Sequence, residues 1–273
     1  MDHGITDHST VLALPDAEQL PAFSCVLSGA RSSRHCVLIP VINEGERIIR
    51  QLIGMNSSDF RLDIIIVDGG STDGSMSPQR LRNELGVNTL LMKTGKGRLS
   101  AQLRIGMAWA LARGYEGIVT IDGNGKDDFQ AVPDFVAKLE AGFDHIQGSR
   151  YLPGGVAENT PLDRELGVRF LHAPLISLGA GVRYTDTTNG FRAFSRQLLL
   201  DPRVRPFRAI FDTYNLHYYL AVRAPRLDFR VCEIPVARRY PKNGPAPSKI
   251  AGWSVRLHIL KQTVVAACGG YNP

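Results

Sequence analysis

The sequence predicts an α/β fold with a mostly parallel sheet and helices on both faces. Three observations predict it. Short β-branched apolar runs recur at residues 36–42, 62–68, 87–92 and 117–122, the right length for buried strands and too short for core helices. Each run leads into a polar or glycine-rich loop and then a helical stretch, the alternation that builds parallel βαβ units. A chain of 273 residues with 44% hydrophobic content can bury a sizeable core.

The elements follow in order. Residues 1–34 have weak periodicity and read as an N-terminal extension with at most one strand. CVLIPVI (36–42) is the first buried strand, and Ile48, Ile49, Leu52 and Ile53 then share one helical face. LDIIIVD (62–68) is the second strand; the loop GGSTDGS separates it from the helical SPQRLRNEL. VNTLLM (87–92), the loop TGKGR and the long helix LSAQLRIGMAWALARG come next. GIVTID (117–122) is the fourth strand, AVPDFVAKLEAG a helix and FDHIQGS a short fifth strand. Beyond Arg150 the rhythm loosens. LDRELGVRFLHAPLISLGAG reads as helical, TDTTNGFRAFSR as a loop entering a strand, FDTYNLHYYLAVRAP as a helix and DFRVCEIPVARRY as a strand. The expected division is an extension at 1–34, one domain at 35–249, and a C-terminal amphipathic helix and tail at 250–273.

Charge is unevenly spread along the chain. From Arg192 onward there are 14 Lys and Arg against four Asp and Glu, whereas the rest has 18 against 22. A basic C-terminal third points to an anionic partner such as a phosphate or lipid headgroup; no nucleic-acid module is recognisable, so nucleic acid is not expected. Cys25, Cys36, Cys232 and Cys268 fit no zinc or disulfide spacing, which suits reduced thiols in a cytoplasmic protein. The first residues, MDHGITDHST, do not read as a signal peptide. No apolar run approaches the roughly 18 residues that span a bilayer. The expected location is cytoplasmic, or peripheral at the inner face of a membrane, with the last helix against the membrane surface or against the core.

Several loops carry candidate chemistry. Asp122 ends a strand and Asn124 stands two residues on, so both side chains can point the same way. Carboxylate and amide oxygens suit Mg²⁺ or Mn²⁺ bridging to phosphates, and Gly123 and Gly125 allow close backbone approach. The same composition also makes an ordinary turn. Asp68 closes the second strand and can accept hydrogen bonds from a base or ribose, while Ser71 and Asp73 are candidate caps of the next helix. Lys96 sits between Gly95 and Gly97 and Arg98 follows, before a helix, a loop suited to phosphate or a base edge.

Taken in order, PVINE, IIIVDGGSTDGS, GKGR, IVTIDGN, GSRY and TNGFRA resemble the inverting family 2 glycosyltransferases of GT-A fold. Within them the likeness is to the dolichyl- or polyprenyl-phosphate mannosyl- and glucosyltransferase branch, over residues 36–249. The resemblance implies a nucleotide-sugar donor and a divalent metal. It implies that Pro40, Asn43 and Glu44 form the first nucleotide loop, that Asp68 reads the base and that Lys96 lies beneath it. Asp122, Gly123 and Asn124 then match the Asp-x-Asp motif holding metal and diphosphate. Arg150, Arg164 and Arg169 match the acceptor-binding basic set, and Arg239, Ser248 and Lys249 the motif after the last strand. Asp186, Asn189, Gly190 and Arg192 fall beside the reaction centre. Asp122, Asp186 and Arg192 are the expected catalytic residues.

The sequence departs from the family pattern at Gly69, at Asn124 and in FDTYNLHYYL, which lacks the family's glutamate. A hydroxyl acceptor needs a general base, whereas a phosphate acceptor is already anionic and needs cations to hold it. With arginines in supply and no obvious base, a polyprenyl-phosphate acceptor is expected, or a related lipid or glycan. His172, His217, Asp186 and Asp212 are the base candidates for a hydroxyl acceptor. Two rival readings are a nucleotidyltransferase, whose glycine signature is absent after the first strand, and a non-catalytic nucleotide- or membrane-binding module.

Overall fold

The computed structural model describes residues 13–241 and 253–273. Strands β1 (Phe23–Ser28), β2 (His35–Val41), β3 (Asp63–Asp68), β4 (Val87–Lys93) and β5 (Gly117–Thr120) precede β6 (His145–Ser149) and β7 (Val156–Glu158). Strands β8 (Arg192–Ser195), β9 (Val231–Pro235) and β10 (Ala237–Arg239) complete the set. One eight-stranded sheet runs β1-β4-β3-β2-β5-β8-β6-β9, and β7 with β10 forms a small parallel pair. Strands β4, β3, β2 and β5 are mutually parallel, as are β6 and β9. Edge strand β1 and the inserted β8 run antiparallel to their neighbours. The N-terminal segment thus supplies a strand to the main sheet.

The alternation of side chains along buried strands divides the core in two. Cys36 and Leu38 of β2, with Ile65 and Val67 of β3, face helices α3 (Leu99–Ala112) and α8 (Asn215–Arg226). Val37, Ile39 and Val41, with Ile64 and Ile66, face α1 (Glu46–Asn56), α2 (Pro78–Asn83) and α4 (Val132–Glu140). Gly106 lets α3 lie directly on the sheet, since a Cβ there would stand 2.2 Å from Leu38 Cδ1.

The region after Arg150 forms a helical layer beside the sheet. Helix α5 (Leu162–Gly167) continues into a π-helical turn over Val168–His172 and then α6 (Ala173–Ala180). Pro174, in the first turn of α6, has no N–H for a regular α-helical bond, which accounts for the break in register just before it. After α7 (Arg196–Leu200) and α8, helix α9 (Trp253–Ala267) packs through Ile259 and Ala266 on Ile176, Ala180, Tyr218, Ala221 and Val222. The last helix packs on the core, one of the two arrangements expected for it.

Gly106→Ala should lower stability by about 1–3 kcal/mol through overpacking, read as a reduced denaturant midpoint with an unchanged slope.

Candidate active site

The carboxyl ends of β2, β3 and β5 open on one edge of the sheet, the position at which open α/β sheets bind ligands. A cleft of about 790 Å³ lies there. Gln102 of α3 fastens two of these ends by donating from Nε2 to the carbonyls of Val41 and Val67, both at 2.8 Å. The loops beyond them are tied together as well. Asn43, in a left-handed conformation (φ 51°), accepts the Thr72 N–H at 2.8 Å, and its own N–H donates to Ser71 Oγ at 2.9 Å. The Asp73 carboxylate accepts from the Gly45 N–H at 2.8 Å and from Ser75. Asp73 therefore braces two loops and does not cap α2, whose N-cap is Ser77.

Asp122 stands on the cleft floor just past β5. A Cβ at Gly190, before the antiparallel β8, would lie 2.6 Å from Asp122 Oδ1, so only glycine leaves that oxygen its space. Asp122 Oδ2 accepts from Asn124 Nδ2 at 3.2 Å and pairs with Arg238 Nη2 at 3.0 Å. The turn that follows is held by Gln51 Oε1, which accepts the Gly125 N–H at 3.0 Å, and by a left-handed Gly125. The Asn124 oxygen accepts the Lys126 N–H at 3.2 Å, so a half-turn of the amide is needed to face it toward Asp122.

The fit to a divalent metal follows from this donor set. Among the described residues no three His, Cys, Asp or Glu side chains converge. One carboxylate with space kept free beside it, plus one amide oxygen, suits a Mg²⁺ or Mn²⁺ ion that takes its other ligands from phosphate oxygens and water. It does not suit a closed protein cage.

The cleft as a whole is cationic. Among the described residues nine Lys and Arg line the cleft against three carboxylates. Glu44 pairs with Arg47, Asp122 with Arg238, and Asp163 with Arg256. Arg150 grips the fully buried Asp186 with two nitrogens, at 2.6 and 3.0 Å, and also donates to Thr188 Oγ1. Burial alone would raise the Asp186 carboxyl, but the Arg150 guanidinium outweighs it and holds the group below its ordinary range. Arg192 donates to the carbonyls of Asn189, His217 and Thr187 at 3.0, 2.8 and 2.7 Å. Its burial brings the guanidinium down to about 10. Burial, with Arg192 adding to it, keeps His217 neutral.

Residues 36–201, more than half of the chain, match the family described as Glycosyl transferase family 2. The chain belongs to this glycosyltransferase family. The polyprenol monophosphomannose synthase of Mycolicibacterium smegmatis is 28% identical over 236 residues, 84% of this chain and 86% of the relative. The undecaprenyl-phosphate mannosyltransferase of Micrococcus luteus is 28% identical over 233 residues, 84% of this chain and 93% of the relative. Glucosyl-3-phosphoglycerate synthase from Mycobacterium tuberculosis, solved with uridine-diphosphate, aligns with a TM-score of 0.58 at 20% identity, covering 88% of this chain and 80% of that one. At that identity the likeness is one of fold, a GT-A-like α/β domain.

In this family 2 chain the sequence-derived residues separate into groups. Pro40, Glu44, Asp122, Gly123, Asn124, Arg150, Arg164, Gly190 and Arg192 line the cleft together. Asp68 is buried, with both oxygens taken by Ser71, and Lys96 is exposed on its loop; neither is among the lining residues. Arg169 is exposed and pairs with Glu165. Asn189 is buried, its Oδ1 accepting the Phe191 N–H, and shapes the loop without lining the cleft. Arg239 points outward to Asp128 and Glu158, whereas Arg238 and Tyr240 face the cleft. Alternation along β10 explains that difference and is the signal by which Arg238 was findable. Ser248 and Lys249 lie outside the described residues.

Asp186→Asn leaves Arg150 buried without its partner and should cost about 3–5 kcal/mol near neutral pH. The folded carboxyl sits below its unfolded value, so its contribution is full above the ordinary carboxylate range and disappears as pH falls through the depressed value. Denaturation of both proteins against pH should show the gap closing toward acid.

Proposed function

We propose that this glycosyltransferase moves a sugar, with inversion, from a nucleotide-sugar donor to a polyprenyl phosphate with the help of a divalent metal. The observation that carries the reading is the charge arrangement of the cleft. Cations exceed carboxylates among its described lining residues, and each of the three lining carboxylates is paired with an arginine. Such a site is built for phosphates on both sides of the transfer. It leaves no carboxylate placed as a base, and an anionic phosphate acceptor needs none. The names of the relatives, a polyprenol monophosphomannose synthase and an undecaprenyl-phosphate mannosyltransferase, support the acceptor class. A neighbouring fold solved with Mn²⁺ and UDP-glucose supports the donor and metal classes.

In this reading Asp122 and Asn124 would hold the metal, which when bound would neutralise charge building on the departing diphosphate. Arg164 and Arg238, both at the cleft, receive the acceptor phosphate. Arg150 fixes the Asp186–Thr188 segment, and Arg192 clamps the Asn189 loop beside the reaction centre. The acceptor oxygen attacks the anomeric carbon from the face opposite the leaving group, which inverts the configuration. A hydroxyl acceptor has one observation in its favour: the neutral His217 lines the cleft with Nε2 lacking a hydrogen-bond partner. Its depressed basicity makes it a weak base, which favours the phosphate.

The far part of the cleft is apolar, formed by Val168, Leu171, Leu257, Ile259 and Leu260. Next to it Leu162, Phe170 and Leu178 are 69%, 72% and 77% exposed. No helix among the described residues is long and apolar enough to cross a membrane. We infer that this face rests on a bilayer and feeds the lipid chain into the cleft, with Arg164, Arg169 and Arg256 toward anionic headgroups of the inner face.

Thermal shifts with UDP, GDP, dTDP and CDP, each with Mn²⁺, Mg²⁺ or EDTA, test the donor site. A nucleotide at about 100 times its Kd adds about 2.7 kcal/mol, and a metal-dependent shift with one nucleotide should vanish in Asp122→Ala. Transfer to a polyprenol faster than to the polyprenyl phosphate would overturn the acceptor assignment. Phe170→Ser/Leu178→Ser should reduce co-sedimentation with anionic vesicles while leaving the nucleotide shift intact; unchanged co-sedimentation would remove the membrane face.

A further inference from the structure

We propose that Asp127 is a positioning residue for the transfer: it anchors Arg238 so that the guanidinium can release Asp122 and still remain in the cleft. The proposal rests on the reading above, in which the cleft takes a nucleoside diphosphate and a divalent cation at Asp122.

The backbone sets up the pair. The Asp128 N–H donates to the Ala237 carbonyl at 3.0 Å and the Arg239 N–H to the Lys126 carbonyl at 2.8 Å. Asp127 and Arg238 are thereby bridged antiparallel, and their side chains meet. The Asp127 side chain is fully buried, and that of Arg238 is 9% exposed. Asp127 Oδ1 has no hydrogen-bond partner, so the pairing of Oδ2 with Arg238 is what compensates the burial of this carboxylate.

Arg238 divides its contacts between two nitrogens. Nη1 donates to Asp127 and Nη2 to Asp122 at 3.0 Å. The Asp122 side chain is 24% exposed and opens on the cleft, so the outer contact can be exchanged while the inner one stays made. The Tyr240 ring supports the guanidinium from the side, its centroid 5.8 Å from Arg238 Cζ. Without the Asp127 charge, Arg238 would lean wholly on Asp122 and oppose any cation arriving there. With it, Asp122 becomes available to the cation, and Nη2 is left directed into the cleft toward the acceptor phosphate that Arg238 receives in the reading above.

The test measures Mn²⁺ binding to the full chain by electron paramagnetic resonance, with saturating UDP and GDP in parallel. It compares the unaltered protein, Asp127→Asn and the charge-free pair Asp127→Asn/Arg238→Gln. Asp127→Asn should weaken Mn²⁺ binding by about tenfold or more, the scale of supporting changes around metal ligands. The double variant should bind Mn²⁺ at least as tightly as the unaltered protein, because no guanidinium then competes for Asp122, while its transfer rate stays low. A purely structural role for Asp127 would not produce this rise and fall. If Asp127→Asn does not fold, the double variant decides: Mn²⁺ binding weaker than in the unaltered protein overturns the proposal. If the unaltered protein binds Mn²⁺ and both variants match it, the proposal alone falls. If the unaltered protein binds no Mn²⁺ with either diphosphate, the reading of the cleft falls and the proposal with it.

Discussion

Pairing of charge in and beneath a cleft whose charged lining residues are mostly cations is the constraint on which the site depends. Buried ions are tolerated only with partners of good geometry. Each large commitment of the fold on this side supplies one. Strand β8, inserted antiparallel between β5 and β6, carries Arg192 and is preceded by the loop that contains Gly190, so the space beside Asp122 comes from the insertion itself. Asp186 lies on that same loop and is completed by Arg150 from the end of β6. The small β7–β10 pair brings Arg238 against Asp122 and Asp127.

These arginines do different work. Arg150 and Arg192 are spent on protein groups, a carboxylate in one case and three backbone carbonyls in the other, so they stiffen the 186–192 loop. Arg164 and Arg238 stand at the cleft with contacts a ligand can share or exchange, a tyrosine hydroxyl at 3.3 Å and a partly exposed aspartate. The inner layer is held by protein groups, and the contacts of the outer layer can be exchanged without rebuilding the loop. Glu233 completes the inner layer by accepting the Thr185 and Asp186 N–H groups.

Much of this was legible in the sequence. The strand runs at 36–42, 62–68, 87–92 and 117–122 match β2, β3, β4 and β5 closely, because both faces of these strands are buried and their composition says so. Asp122 was legible because a strand-end acid beside glycines is a local feature, whereas the 186–192 segment was singled out only by its resemblance to the family motif. That Arg238 faces the cleft and Arg239 faces away is not legible locally, since choosing between them requires the phase of a three-residue strand. The base-reading position of Asp68 was inferred from its place at a strand end, but its carboxylate is turned onto Ser71. The pairing of Asp127 with Arg238 is not legible in the sequence, because the partners lie 111 positions apart.

The sequence by itself determined the α/β class, the succession of strands and helices, and the loops that carry acids and glycines. These depend on local periodicity and turn chemistry, which neighbours along the chain fix. Tertiary structure alone decided which arginine faces which carboxylate, that β8 runs antiparallel, and that α9 lies on α6 and α8 beside the cleft. Those outcomes arise from contacts distant in sequence, where the direction of a side chain depends on strand phase and on burial contributed by other elements.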